Sequence, residues 1–161
     1  MDYFESVVIE YLRADRSLFI NTQCCIQLND GENPDTSGPH WYCDAVAVDF
    51  RSKCIFLCEI TFSDPPNSLL KRLSGWESDW AGLSKALVRD SNLPADWPIR
   101  PWLFVPEKLI EKVLAGLTKI APASMPTPRI TPLEMVFPWH YRSWNRQSEK
   151  LKPQTIPENM R

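Results

Sequence analysis

Asp44 and Glu59 lie inside two apolar runs, Tyr42 to Phe50 and Cys54 to Phe62. A carboxylate in such surroundings is costly unless it is paired or bound to a metal. Two of them on neighbouring strands repel one another unless a positive charge stands between them. A hard divalent cation, Mg²⁺ or Mn²⁺, meets that need with oxygen ligands and retained waters. A cation held this way can polarise a phosphate and activate water. The rival source of charge is an arginine or lysine, which would make the two acids members of a structural ion pair.

The elements around the acids must bring them together. Side chains alternate along a strand, so Tyr42, Asp44, Val46 and Val48 are expected on one face and Trp41, Cys43, Ala45 and Ala47 on the other. Ile55, Leu57, Glu59 and Thr61 share a face of the next strand, opposite Phe56, Cys58, Ile60 and Phe62. Both runs are apolar on both faces, as in a sheet covered on each side. The connection from Asp49 to Lys53 is hairpin-short and makes the strands antiparallel neighbours.

At 161 residues the chain is long enough for one domain with a real core. Its 43% hydrophobic and 24% charged residues are those of an ordinary globular protein. No apolar run approaches a membrane span, and Met1 to Glu5 is not a basic, apolar leader, so a cytoplasmic protein with no membrane partner is expected. A net charge of -2 gives no general basic field, and any nucleic-acid contact must be a local patch. Five cysteines are read as reduced, mostly buried thiols. A zinc site is the sharper alternative, with Cys43 and Cys58 on the face away from the carboxylates. No C-x-x-C pair supports it, and His40 and His140 are the only histidines.

Along the chain, Asp2 to Ala14 carries apolar residues at helical steps, and Ser17 to Leu28 is rich in strand formers. Asn29 to Pro39 is a turn-rich loop whose acids lack calcium-site spacing. Leu69, Leu73, Trp76, Trp80, Leu83 and Leu87 predict one long helix with an apolar seam. Gly75 and Gly82 weaken it by about 1 kcal/mol each and suggest close approach of another backbone. Ile99 to Val105 is a strand, Pro106 to Gly116 a helix with Pro at its start and Gly at its end, and Arg129 to Phe137 a last strand placed at an edge by Pro132. Residues 1–137 form the expected domain, and 138–161 a basic, aromatic extension with a polar, disordered end.

The order helix, three strands, helix, strand, with Asp and Glu on consecutive central strands, resembles the PD-(D/E)XK nuclease superfamily. Three segments between Met1 and Val105 carry the resemblance: Phe4 to Leu12 as the opening helix, Cys43 to Asp49 as the second motif, and Leu57 to Thr61 as the third. It implies an α/β fold with a restriction-endonuclease-like αβββαβ core, a central mixed sheet flanked by helices. It further implies a metal shell of Asp44, Glu59 and the Ile60 carbonyl, assisted by a helical glutamate. Glu5 is favoured over Glu10 for that role because it shares the apolar stripe of Val8, Ile9 and Leu12.

Two departures stand out. Cys43 replaces the motif proline, and Thr61 replaces the lysine whose charge orients water and stabilises the reacting phosphate. A threonine hydroxyl cannot replace that charge, so Arg72 or Lys71 from the following helix is nominated instead. Arg72 flanks the core-facing side, whereas Lys71 points largely away. In the extension, Arg142, Trp144 and Arg146 interleave cations and aromatics and could grip nucleic acid. The resulting expectation is a Mg²⁺- or Mn²⁺-dependent nuclease acting on DNA, with RNA as a lesser candidate, and with a homodimer or protein partner implied by the resemblance. The alternative is a catalytically inactive domain of the same fold that binds nucleic acid or a protein.

Overall fold

The computed structural model describes residues 2–29, 38–120 and 123–141. Its elements are α1 (Tyr3–Ala14), β1 (Leu18–Gln27), β2 (His40–Asp49), β3 (Cys54–Ile60), α2 (Asn67–Ser78), α3 (Trp80–Ser91), β4 (Ile99–Val105), α4 (Ile110–Ile120) and β5 (Arg129–Pro132). Short 3₁₀ turns cover Glu107–Leu109, Leu133–Met135 and Pro138–His140. The strands form one mixed sheet in the order β1-β2-β3-β4-β5. β1, β2 and β3 pair antiparallel, and β3, β4 and β5 pair parallel. This is an α/β fold with helices packed on the sheet, and none of its described helices is long and apolar enough to cross a membrane.

The sheet separates two cores. On one face α1 lays Val8, Ile9 and Leu12 against Ala45, Ala47, Phe56, Cys58 and Phe104. The two alanines let the helix sit close to β2. On the other face Val46, Val48, Ile55, Leu57 and Leu103 pack against Leu69, Leu73, Trp76, Leu83, Leu87 and Val113 from α2, α3 and α4. Every residue of β3 is buried, as strands covered on both sides require.

Local chemistry sets the element ends. Asp2 accepts the Glu5 N–H at 2.8 Å while Glu5 accepts the Asp2 N–H at 3.3 Å, a reciprocal cap that starts α1. In the β2–β3 turn, Asp49 accepts from the Arg51 N–H and the Ser52 hydroxyl, and Lys53 takes a φ of 53°. Pro132 ends β5 at the sheet edge, where its missing N–H breaks no ladder.

Four expectations are corrected. The single long helix is two, α2 and α3, broken at Asp79, whose carboxylate accepts the Gly82 N–H at 3.2 Å and caps α3. The glycines answer to side chains and not to another backbone: a Cβ at Gly75 would overlap the Trp41 indole, and one at Gly82 the Asp79 carboxylate. Gly116 lies inside α4, which runs on to Ile120, because its bare Cα admits the Leu70 side chain. Cys43 and Cys58 do not share a face. Cys43 belongs to the core under α2 and α3, and Cys58 to the core under α1.

The last correction has a local cause. β1 and β2 pair through Thr22↔Ala45 and again through Cys24↔Cys43, but Gln23, opposite Asp44, has a φ of 53° and no pairing. Alternation is interrupted there, so Trp41 and Cys43 join Val46 and Val48 on one face.

Gly75→Ala tests the helix–sheet contact. Helix propensity favours alanine by about 1 kcal/mol, but overlap with a rigid indole costs about 1–3 kcal/mol. A net loss of stability is expected in urea denaturation; a gain would mean that Trp41 swings aside at no cost.

Candidate functional site

The two acids meet where β2 and β3 part. The β2–β3 ladder runs from Asp49↔Cys54 to Ala45↔Cys58. Beyond it, the Asp44 carboxylate takes over from the backbone, its Oδ2 accepting the Ile60 N–H at 2.7 Å. On its other side β3 stays attached to β4, with the Thr61 N–H donating to the Phe104 carbonyl at 3.0 Å. A side-chain carboxylate therefore caps one edge of β3 just past Glu59.

Arg72 of α2 supplies the counter-charge. Its Nη1 donates to both Glu59 oxygens, at 2.8 and 2.7 Å, and stands 4.0 Å from Asp44 Oδ1. Glu59 is only 4% exposed. The expected alternative of an arginine ion pair is thus present in the structure. Glu5 lines the same cleft, brought there by α1, whose Phe4 ring lies 4.6 Å from that of Phe62 beyond β3. Glu10 instead forms an exposed pair with Arg13 at 3.0 Å.

These groups line an open cleft of about 200 Å³ with Thr61, Ser68, Ile60 and Leu69. Thr61 contributes a neutral hydroxyl whose oxygen accepts the Ser63 N–H at 3.2 Å. Lys71 is exposed and does not line the cleft. Arg142, Trp144 and Arg146 lie outside the described residues, as does most of the loop 29–39. Among the described residues no group of three or more His, Cys, Asp or Glu side chains converges as a metal cage.

Burial and charge both act on the acids of the cleft. Burial, with the charge of Asp44, pushes the Glu59 carboxyl from 4.5 up to about 8, against the hydrogen bond from Arg72. Burial also raises Asp44, with Glu5 adding repulsion, although the Ile60 N–H and Arg72 favour its charged form. Arg72 is raised too: burial works against its charge, but the Glu59 hydrogen bond and the charges of Glu59 and Asp44 outweigh it. The Arg72 guanidinium holds Asp44 and Glu59 together, yet burial keeps both carboxyls raised.

A second polar cluster escaped sequence reasoning. At the far end of β2, a recess of about 90 Å³ is lined by Tyr11, Asp15, Asp49, Arg51, Trp102 and Arg129. The Arg129 guanidinium lies 3.9 Å from the Trp102 ring centre, and its Nε is buried without a hydrogen-bond partner among the described residues. Arg51 pairs with Asp15 at 3.0 and 2.9 Å. The acids here are saturated: Asp49 receives the Ser17 and Ser52 hydroxyls as well as turn N–H groups. Sequence pattern offered only an aspartate at a strand end and an arginine at a strand start.

Arg72→Ala strands a buried Glu59 without its partner. Glu59 keeps its proton to about pH 8, so at neutral pH the variant loses a buried hydrogen bond and not a full ion pair, and a loss of about 1–3 kcal/mol is expected in denaturant unfolding. The pH dependence follows from Glu59. An acid raised in the folded state keeps a proton that the unfolded chain releases, so stability falls as pH rises between about 4.5 and about 8. Relative to Glu59→Gln, the unsubstituted chain should lose stability between pH 5 and pH 8 in urea titrations; parallel curves would contradict it. Comparison of the chain with protein-family models, curated proteins and solved structures gives no match in any of the three.

Proposed function

We propose that this chain is a metal-dependent nuclease hydrolysing DNA phosphodiester bonds, with a core resembling that of the PD-(D/E)XK superfamily. The observation that supports the reading is the convergence of Asp44 and Glu59 on one cleft, where they share the Arg72 guanidinium. The element order agrees with it: one helix, three antiparallel strands, a helical connection and a parallel strand.

The donor set fits a hard cation. It consists of oxygens, and burial, with neighbouring negative charge, raises both central carboxyls, so a bound cation would favour their ionised forms. Mg²⁺ commonly takes one or two carboxylates and leaves its other positions to water and phosphate. Asp44, Glu59 and the Ile60 carbonyl would hold Mg²⁺ or Mn²⁺, with Glu5 assisting. When bound, the cation supplies Lewis-acid charge to the scissile phosphate and makes a water more acidic.

The chain's own residues supply the rest. Arg72 uses Nη1 on Glu59, while Nη2 and Nε make no hydrogen bond to the described residues. Those N–H groups match phosphate oxygens in charge and geometry, which gives Arg72 the electrostatic role of the missing lysine. Thr61 can position a water or phosphate by hydrogen bonding but adds no charge.

A second reading is a catalytically inactive domain of the same fold that binds nucleic acid or a protein partner. The contact between Arg72 and Glu59 favours it, because a guanidinium already engages both oxygens that a cation would need. Calorimetry with Mn²⁺ and cleavage of plasmid and single-stranded DNA in Mg²⁺ or Mn²⁺ separate the two. The nuclease reading expects Mn²⁺ uptake and cleavage, loss of activity of at least about 100-fold in Asp44→Asn and Glu59→Gln, and a similar loss in Arg72→Ala. DNA retention without Mn²⁺ uptake or cleavage would support the inactive domain, and equal cleavage by the acid variants would overturn the assigned site.

A further inference from the structure

Cys24 of β1 and Cys43 of β2 are direct partners across an antiparallel pair. Facing residues in such pairs have Cα atoms about 4.5–5.5 Å apart, within the roughly 4.4–6.8 Å that a disulfide spans. Their side chains also lie on one face: Cys43 is buried in the core under α2 and α3, and Cys24 packs against that same core. Cys24 Sγ donates to the Asn21 carbonyl at 3.5 Å, which holds the thiol on the β1 backbone beside Cys43.

The other cysteines are placed differently. Cys54 and Cys58 belong to the core under α1, across the sheet. Cys25 is next to Cys24 in sequence, but its cross-strand partner is Tyr42. Access is unequal within the pair as well. Cys24 is half-buried and lines a surface cleft of about 340 Å³ with Gln23, Leu87 and Asp90. Cys43 is 2% exposed. A reagent from solution meets Cys24 first.

We propose that Cys24 and Cys43 are a site of reversible oxidation that forms a cross-strand disulfide by exchange with a small-molecule disulfide such as oxidised glutathione. Cys24, as thiolate, attacks one glutathione sulfur, giving a mixed disulfide and releasing one glutathione thiolate. Cys43 then gives up its proton and displaces the second glutathione from Cys24. In balance, two protein thiols and one oxidised glutathione become one protein disulfide and two reduced glutathiones. The bond would tie β1 to β2 at the residue preceding Asp44. It needs no metal and does not depend on the nuclease reading.

The test equilibrates the reduced, full-length protein with glutathione mixtures from reducing to oxidising, then counts free thiols and maps a non-reducing digest by mass spectrometry. Five thiols should fall to three, a single peptide pair should carry the Cys24–Cys43 link, and dithiothreitol should restore all five. Cys25→Ser should form the same link, and Cys24→Ser should form none. Five thiols persisting under oxidising conditions, a different linked pair, or glutathione retained on Cys24 beside a free Cys43 would each overturn the proposal. The digest of the unsubstituted protein decides the matter even if a variant fails to fold.

Discussion

The bond from the Ile60 N–H to Asp44 Oδ2 lies where β2 and β3 cease to pair, and the geometry of the cleft depends on it. A ladder that simply ended there would leave a buried N–H unsatisfied, at a cost of about 1–3 kcal/mol. Asp44 answers with a charged acceptor, and in doing so places a carboxylate directly beside Glu59. The repulsion that follows calls for a cation, and α2 delivers Arg72 from its opening turns. One backbone requirement thus sets strand separation, the approach of two acids, and the approach of a guanidinium.

The same arrangement explains why the two acids hold protons so tightly. Glu59 sits in a strand buried on both faces, where water cannot spread its charge, and Asp44 adds a second negative charge. Arg72 offsets part of that cost, but its side chain is shared between the cleft and solvent. Its pairing with Glu59 fixes α2 relative to β3, so a group that stabilises the site also locates the helix that carries it.

Much of this was legible in the sequence. Asp44 and Glu59 announced themselves as acids in runs otherwise fit for a covered sheet, and the short link from Asp49 to Lys53 gave the antiparallel pairing. Arg72 was half legible, since its stripe flanks the core face of α2, but only packing shows its reach to Glu59. The break at Asp79 was hidden because the spacing from Trp76 to Trp80 to Leu83 reads alike through a continuous helix or a kinked one. The faces of Cys43 and Cys58 were misread because strict alternation carries no sign of a left-handed residue on the neighbouring strand. Arg129 and its recess were illegible because Tyr11 and Asp15, Asp49, Trp102 and Arg129 itself come from four separate stretches of chain.

Gln23 has a further consequence, at the margin of the sheet. β1 is an outer strand of ten residues with no strand on its far side among the described residues and with Phe19 exposed, a template on which another chain can pair. With a φ of 53°, Gln23 turns the backbone out of the extended conformation partway along that margin. An incoming strand meets two short stretches, Leu18 to Thr22 and Cys24 to Gln27, rather than one continuous line of donors and acceptors. The residue that disturbs alternation inside the molecule thereby blunts its longest exposed edge against cross-chain aggregation.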